Sequence, residues 1–114
     1  MDAHRAAQLL AAERERIEQH LQLLRGEMPA DTIIADTDQG DLAYDMNERE
    51  RDASRITELA EELRALERAE ARLAEGGYGL SIESGKPISD ARLERLPAAE
   101  RTADEQRLWE RSGR

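Results

Sequence analysis

The chain has no cysteine. Disulfides and thiol chemistry are thereby excluded, and so is any thiolate-bound metal. Phenylalanine is also absent, and aromatic residues make up 3% of the sequence. With apolar residues at 39%, a large globular core is not expected. No run approaches the roughly 20 consecutive apolar residues of a membrane-spanning helix. After Met1 the chain reads DAHRAAQLLAAERER, which is too charged for the apolar stretch of a secretory signal. A basic excess is missing too. Lys and Arg number 17 against 26 Asp and Glu, a net charge of −9. That balance argues against direct sequence-specific DNA binding, because phosphate contacts need a basic face. A soluble, cytoplasmic protein is the simplest expectation.

Charge and helix formers are abundant. Charged residues are 38% of the chain, and Ala, Glu, Leu and Arg dominate, a composition typical of long helices or coiled coil. Residues 3–28 are expected to form a helix. Leu10, Ile17, Leu21, Leu24 and Met28 recur at seven-, four- and three-residue steps and so share one stripe, which Leu9 and Leu23 widen. Asp2 is placed to cap its start, and Gly26 and Pro29 to end it. Residues 29–41 (PADTIIADTDQGD) form a connector without helical periodicity. A second helix is expected over 42–75, with Met46, Ala53, Ile56, Leu59, Leu63, Leu66 and Leu73 on its stripe. Gly76-Gly77 is a stop signal. Two helices with one stripe each must pack antiparallel to bury both. The expected fold is therefore mostly α: an antiparallel helical hairpin over 1–76, a rod of roughly 40 Å with its tip at about 29–42. A small compact region follows over 77–114. Tyr78, Leu80, Ile82, Ile88, Leu93 and Leu96 are its expected core, and a final helix over 103–112 offers Leu108 and Trp109 for packing back.

Catalysis finds little support. His4 and His20 are isolated on the first helix. Ser81 and Ser84 lack a nucleophile elbow and a distal histidine. There is no Gly-rich phosphate loop, and a thin rod offers no dry concave pocket for paired carboxylates. The arginines of the second helix (Arg49, Arg51, Arg55, Arg64, Arg68, Arg72) are expected mainly to neutralise neighbouring glutamates.

The tip is strongly acidic. Glu27 to Glu50 holds eight acids and the single base Arg49. Within it lies Asp38-Gln39-Gly40-Asp41-Leu42-Ala43. Asp38 and Asp41 have a structural reading as helix caps. Asp36, Asp38 and Asp41 also have a spacing similar to part of a calcium loop, but the D-x-D-x-D-G order and closing glutamate are absent.

Beyond the hairpin, Ser81, Ser84, Thr102 and Glu105 are spaced x2, x17, x2. This is the spacing of a four-cysteine zinc finger, carried here by residues that are not cysteine. Thr102-Ala103-Asp104-Glu105 also fits a capping box. The surrounding pattern, YG-(x)5-G-x-PI-x-x-ARLE-x-LP from Tyr78 to Pro97, resembles the finger of the DksA/TraR family of bacterial RNA polymerase regulators. The segment Asp38-x-x-Asp41-x-Ala43 matches that family's D-x-x-D-x-A motif at a coiled-coil tip, 38 residues before Ser81 in this chain. The resemblance spans about 36–106.

That resemblance implies a finger without zinc and a monomer that acts on RNA polymerase through its secondary channel. Asp38, Asp41 and Ala43 would be the partner-binding residues of the tip. Ser81, Ser84, Thr102 and Glu105 would stand at degenerate zinc-ligand positions. The family brings with it a link to the stringent response. Guanosine tetraphosphate is a candidate ligand at the polymerase complex, although no residue here specifies it. The competing expectation is a non-enzymatic hairpin that scaffolds or dimerises through its seam and has no relation to polymerase.

Overall fold

The computed structural model describes residues 1–26 and 42–113. Helix α1 is Ala3–Leu24, α2 is Leu42–Glu75, α3 is Asp90–Arg95 and α4 is Ala103–Arg111. Among the described residues there is no strand, only an isolated antiparallel bridge between Leu80 and Pro87.

Local chemistry sets the helix ends. The Asp2 carboxylate accepts the Arg5 N–H at 2.8 Å and so caps α1. That hydrogen bond holds its carboxyl below the usual range. At the other end α1 stops short of the expected residue 28. The Arg25 N–H bonds to the Leu21 carbonyl, and Gly26 at φ 75° turns the chain out of the helix. Glycine therefore ends the helix before Pro29 is reached. Met28 and the connector 29–41 lie outside the described residues, as does the side chain of Met46. Helix α2 matches its expected span. It closes in a Schellman motif: Gly76, at φ 86°, donates to the Leu73 carbonyl, and Gly77 donates to that of Arg72 at 2.8 Å.

The hairpin seam is the main core. Leu10, Ile17 and Leu21 from α1 meet Leu59, Leu66 and Ala69 from α2, all buried. Leu24, Ile56, Leu63 and Leu73 pack around them, as do Tyr78 and Ala98 from the compact region. Ala6 and Ala69 are fully buried, and their small side chains let other groups approach closely. Three expected seam residues are not in it, the first being Leu9, which is part-buried outside the cluster. Leu23 lies about 200° around α1 from Leu21 and is exposed, and Ala53 is exposed as well. Ion pairs flank the seam. Arg14 grips Glu70 with two hydrogen bonds at 2.7 and 3.0 Å, which holds the Glu70 carboxyl below its ordinary range. Arg16 reaches Glu62 at 3.1 Å on another face.

The compact region departs from expectation in what it buries. Ile88 and Leu93 are buried and Tyr78 is half-buried, its hydroxyl donating to the Pro97 carbonyl at 2.8 Å. Leu80, Ile82 and Leu96 are exposed instead. The backbone explains the first two. Leu80 bridges to Pro87, and the Ile82 N–H donates to the Glu100 carbonyl. Ser81 lies between this bridge and the 82–84 turn, and its side chain points inward at 5% exposure while Leu80 and Ile82 face outward. Helix α3 was not anticipated, although its signal is present: the Ser89 hydroxyl caps it by accepting the Arg92 N–H.

The seam yields a stability test. Leu59→Ala and Leu66→Ala should each lose about 3 kcal/mol in urea unfolding, the cost of a cavity in a packed core. Leu23→Ala should stay within about 0.5 kcal/mol of the parent. Equal effects at the three positions would contradict the packing described.

Candidate functional site

The structure brings Ser81, Ser84, Thr102 and Glu105 together at the base of the rod. Glu105 is the hub. Its Oε1 accepts the Ser81 hydroxyl at 2.6 Å and the Thr102 N–H at 2.9 Å, while its Oε2 accepts the Ser84 hydroxyl at 2.5 Å. The Glu105 N–H in turn donates to Thr102 Oγ1 at 3.2 Å, which completes the capping box of α4. The Ser81 oxygen also accepts the N–H groups of Glu83 and Ser84. One carboxylate therefore ties the 81–84 turn to the N-terminus of α4. The hydroxyls of Ser81 and Ser84, and then the Thr102 N–H, lower the Glu105 carboxyl to about 2.

A structural zinc does not fit this donor set. Such sites use thiolate or imidazole ligands, and three of these four side chains are neutral hydroxyls. Each hydroxyl is already spent on a hydrogen bond within the cluster. Among the described residues no group of three or more His, Asp or Glu side chains is placed to hold a metal.

A second set of contacts fixes the compact region on the rod. Glu100 accepts from Arg68 at 2.8 and 3.3 Å and from Arg72 at 3.4 Å. Burial pushes the Glu100 carboxyl up, but the guanidiniums of Arg68, Arg72 and Arg101 outweigh it and leave it below its ordinary range. Arg5 on α1 clasps Glu94 on α3 at 2.6 and 3.0 Å. Both hairpin helices are thus bound to the region that follows them. Arg68 and Arg72 do more than neutralise their own helix, a role that sequence spacing could not reveal because Glu100 is 32 residues beyond Arg68. Arg55 and Arg64 behave as expected and pair with Glu58 and Glu61.

Helix α4 differs most from expectation. It buries none of its residues, and Leu108 is 62% exposed. Trp109 is half-buried, with the Arg101 guanidinium over its ring at 4.3 Å from the centroid. The capping box and this cation–π contact hold α4 where apolar packing was expected. Asp36, Asp38 and Asp41 lie outside the described residues. Ala43 lies in the first turn of α2. His4 and His20 are exposed on α1.

No protein-family model and no curated protein matches the chain. A search of solved structures finds transcription factor DksA2 from Pseudomonas aeruginosa with a TM-score of 0.78 and 24% identity, covering 97% of this chain and 84% of that one. The chain therefore has a DksA-like fold.

The hub carries a pH signature. The folded value of about 2 lies below the ordinary glutamate value of 4.5, so the stabilisation is complete above pH 4.5 and is lost as pH falls from 4.5 towards 2. Glu105→Gln should be less stable than the parent at pH 7 and should lose less over that acid window, as followed by circular dichroism. Parallel pH curves would contradict a carboxylate hub. Ser81→Ala should cost about 2 kcal/mol, since it removes a bond to a charged acceptor and orphans two backbone donors. Chelator, or added zinc, should leave the unfolding midpoint of the parent unchanged.

Proposed function

We propose that this protein is a non-enzymatic transcription regulator that acts on bacterial RNA polymerase. The hairpin would enter the polymerase secondary channel, and the acidic tip would modulate initiation near the active site. The observation that carries this reading is a DksA-like fold in a chain whose sequence carries the D-x-x-D-x-A motif of Asp38, Asp41 and Ala43 where the connector runs into α2. Function divides along the chain on this reading: residues 1–76 probe, and residues 77–114 orient the probe. Asp41 is the main tip residue, supported by Asp38 and Ala43. Ser81, Ser84, Thr102 and Glu105 hold the orienting region without metal.

Physical chemistry supports the reading. Helix α2 alone, at 34 residues, is about 51 Å long, enough to reach into a deep channel. The eight acids and one base between Glu27 and Glu50 concentrate negative charge at its far end, suited to a site of metal ions and basic residues. Seam-mediated dimerisation is less well supported. On the described part of α1 the exposed large apolar residues are Met1, just ahead of the helix, and Leu23, too little for a second interface.

The test is binding to purified bacterial core RNA polymerase with a Gre-type cleavage factor as competitor. Competitor-sensitive binding is expected, with Asp41→Asn binding within about threefold of the parent yet losing its effect on transcription initiation. No binding at micromolar concentration would overturn the proposal, as would an Asp41→Asn variant that regulates normally.

A further inference from the structure

Residues 96–102, which link α3 to α4, belong to no helix, yet they bond outward in several directions. The Pro97 carbonyl accepts the Tyr78 hydroxyl, and Ala98 packs on the hairpin seam. Glu100 makes two kinds of contact at once. Its carboxylate, 16% exposed, accepts from Arg68 Nε and Nη2 and from Arg72 Nη1 on α2. Its backbone carbonyl accepts the Ile82 N–H at 2.9 Å. Ile82 directly follows Ser81, whose hydroxyl bonds to Glu105. The next residue, Arg101, pairs with Glu83 in the same turn and lies over Trp109 of α4. Two residues after Glu100, Thr102 starts the capping box. One residue thus holds the rod through its side chain and the clasp turn through its backbone.

We propose that Glu100 is a joint that couples the seating of the compact region on the rod to closure of the Glu105 clasp. Its carboxylate is the controlling group. Without the guanidiniums of Arg68 and Arg72 a mostly buried carboxylate is left uncompensated and has to turn towards water. Only Arg101 separates Glu100 from the N-cap of α4, so little chain is available to absorb that movement. The displacement would carry with it the Ile82 bond and the Arg101–Glu83 pair, both in the turn that Ser81 and Ser84 anchor. The seated arrangement is not over-determined. Arg72 Nε is buried and, among the described residues, donates to nothing, which weighs against the seated state. The hairpin seam rests on its own apolar contacts, so the joint can open while the seam stays closed. The tether between Arg5 and Glu94 is different. It joins α1 to α3, and neither side chain bonds to Glu100 or to the clasp. Coupling of this kind is reciprocal. Whatever lifts the compact region off α2 loosens the clasp, and whatever opens the clasp frees the base of the rod. This inference concerns the protein alone and is independent of the polymerase proposal.

Amide hydrogen exchange of the full chain, read by NMR, tests the joint. Glu100→Gln keeps the shape of the side chain and sets an amide against the arginines. It should speed exchange at the Glu83, Ser84, Thr102 and Glu105 amides by roughly tenfold. Amides on the seam, such as those of Leu59 and Leu66, should stay within about twofold of the parent. Arg68→Gln, at an exposed side chain, should act in the same direction as Glu100→Gln. Arg5→Gln removes the other tether and should leave the four clasp amides within about twofold of the parent. In the reverse direction, Glu105→Gln should move the Arg68 Hε resonance towards its position in free arginine, since that proton is donated to Glu100. Unchanged clasp amides in Glu100→Gln would mean a merely local ion pair and would overturn the proposal. So would an acceleration of the same size in Arg5→Gln, because any loss of tethering would then have the effect. Equal acceleration of clasp and seam amides in both Glu100→Gln and Arg68→Gln would overturn it as opening of the whole chain. An Arg68 resonance indifferent to Glu105→Gln would remove the reciprocity and, with it, the joint.

Discussion

Glu105 holds together a region that cannot hold itself together by apolar burial. Beyond the hairpin the fully buried large side chains are Ile88 and Leu93, while Leu80, Ile82, Leu96 and Leu108 face outward. A region with so small a core ordinarily needs a staple such as a metal or a disulfide. Here the staple is a carboxylate. It gathers two serine hydroxyls and a backbone N–H, and through the capping box it starts α4 in the right place. Hydrogen bonds to a charged acceptor are stronger than neutral ones, and one carboxylate can accept several. No single bond equals a zinc site, so the clasp is supported by tethers to the rod.

Those tethers give the electrostatics their purpose. Exposed ion pairs contribute little stability one at a time. Their value here is geometric. Arg68 and Arg72 converge on half-buried Glu100, and Arg5 takes Glu94 with a two-pronged grip. Tyr78 and Ala98 add apolar contact with the seam. Together they bind the compact region to both hairpin helices. On the proposed function the rod would have to be aimed, and these contacts would fix its direction relative to the compact region. The same arrangement leaves α4 short of apolar partners.

Much of this was legible in the sequence, for identifiable reasons. The seam follows from three- and four-residue periodicity, which is robust over helices of 22 and 34 residues. Gly76-Gly77 and the Thr102–Glu105 box are local signals that need no tertiary context. The compact region was harder because its elements are short. Leu80 and Ile82 look like core by hydrophobicity alone, but Leu80 sits in an isolated bridge, Ile82 opens a turn, and the inward position between them belongs to Ser81. The spacing of Ser81, Ser84, Thr102 and Glu105 identified which residues would meet. That Glu105 would serve as common acceptor, and that Glu100 would be the anchor for Arg68 and Arg72, depends on how the elements pack and leaves no trace in spacing.

The most direct test of a metal-free carboxylate clasp is residue-resolved amide hydrogen exchange in the presence of chelator near neutral pH. The amides of Glu83, Ser84, Thr102 and Glu105 all donate into the cluster. The account predicts that they are protected together, with similar opening free energies, as one cooperative unit. Exchange of these four amides at the rate of an unstructured chain, while the hairpin seam stays protected, would contradict it.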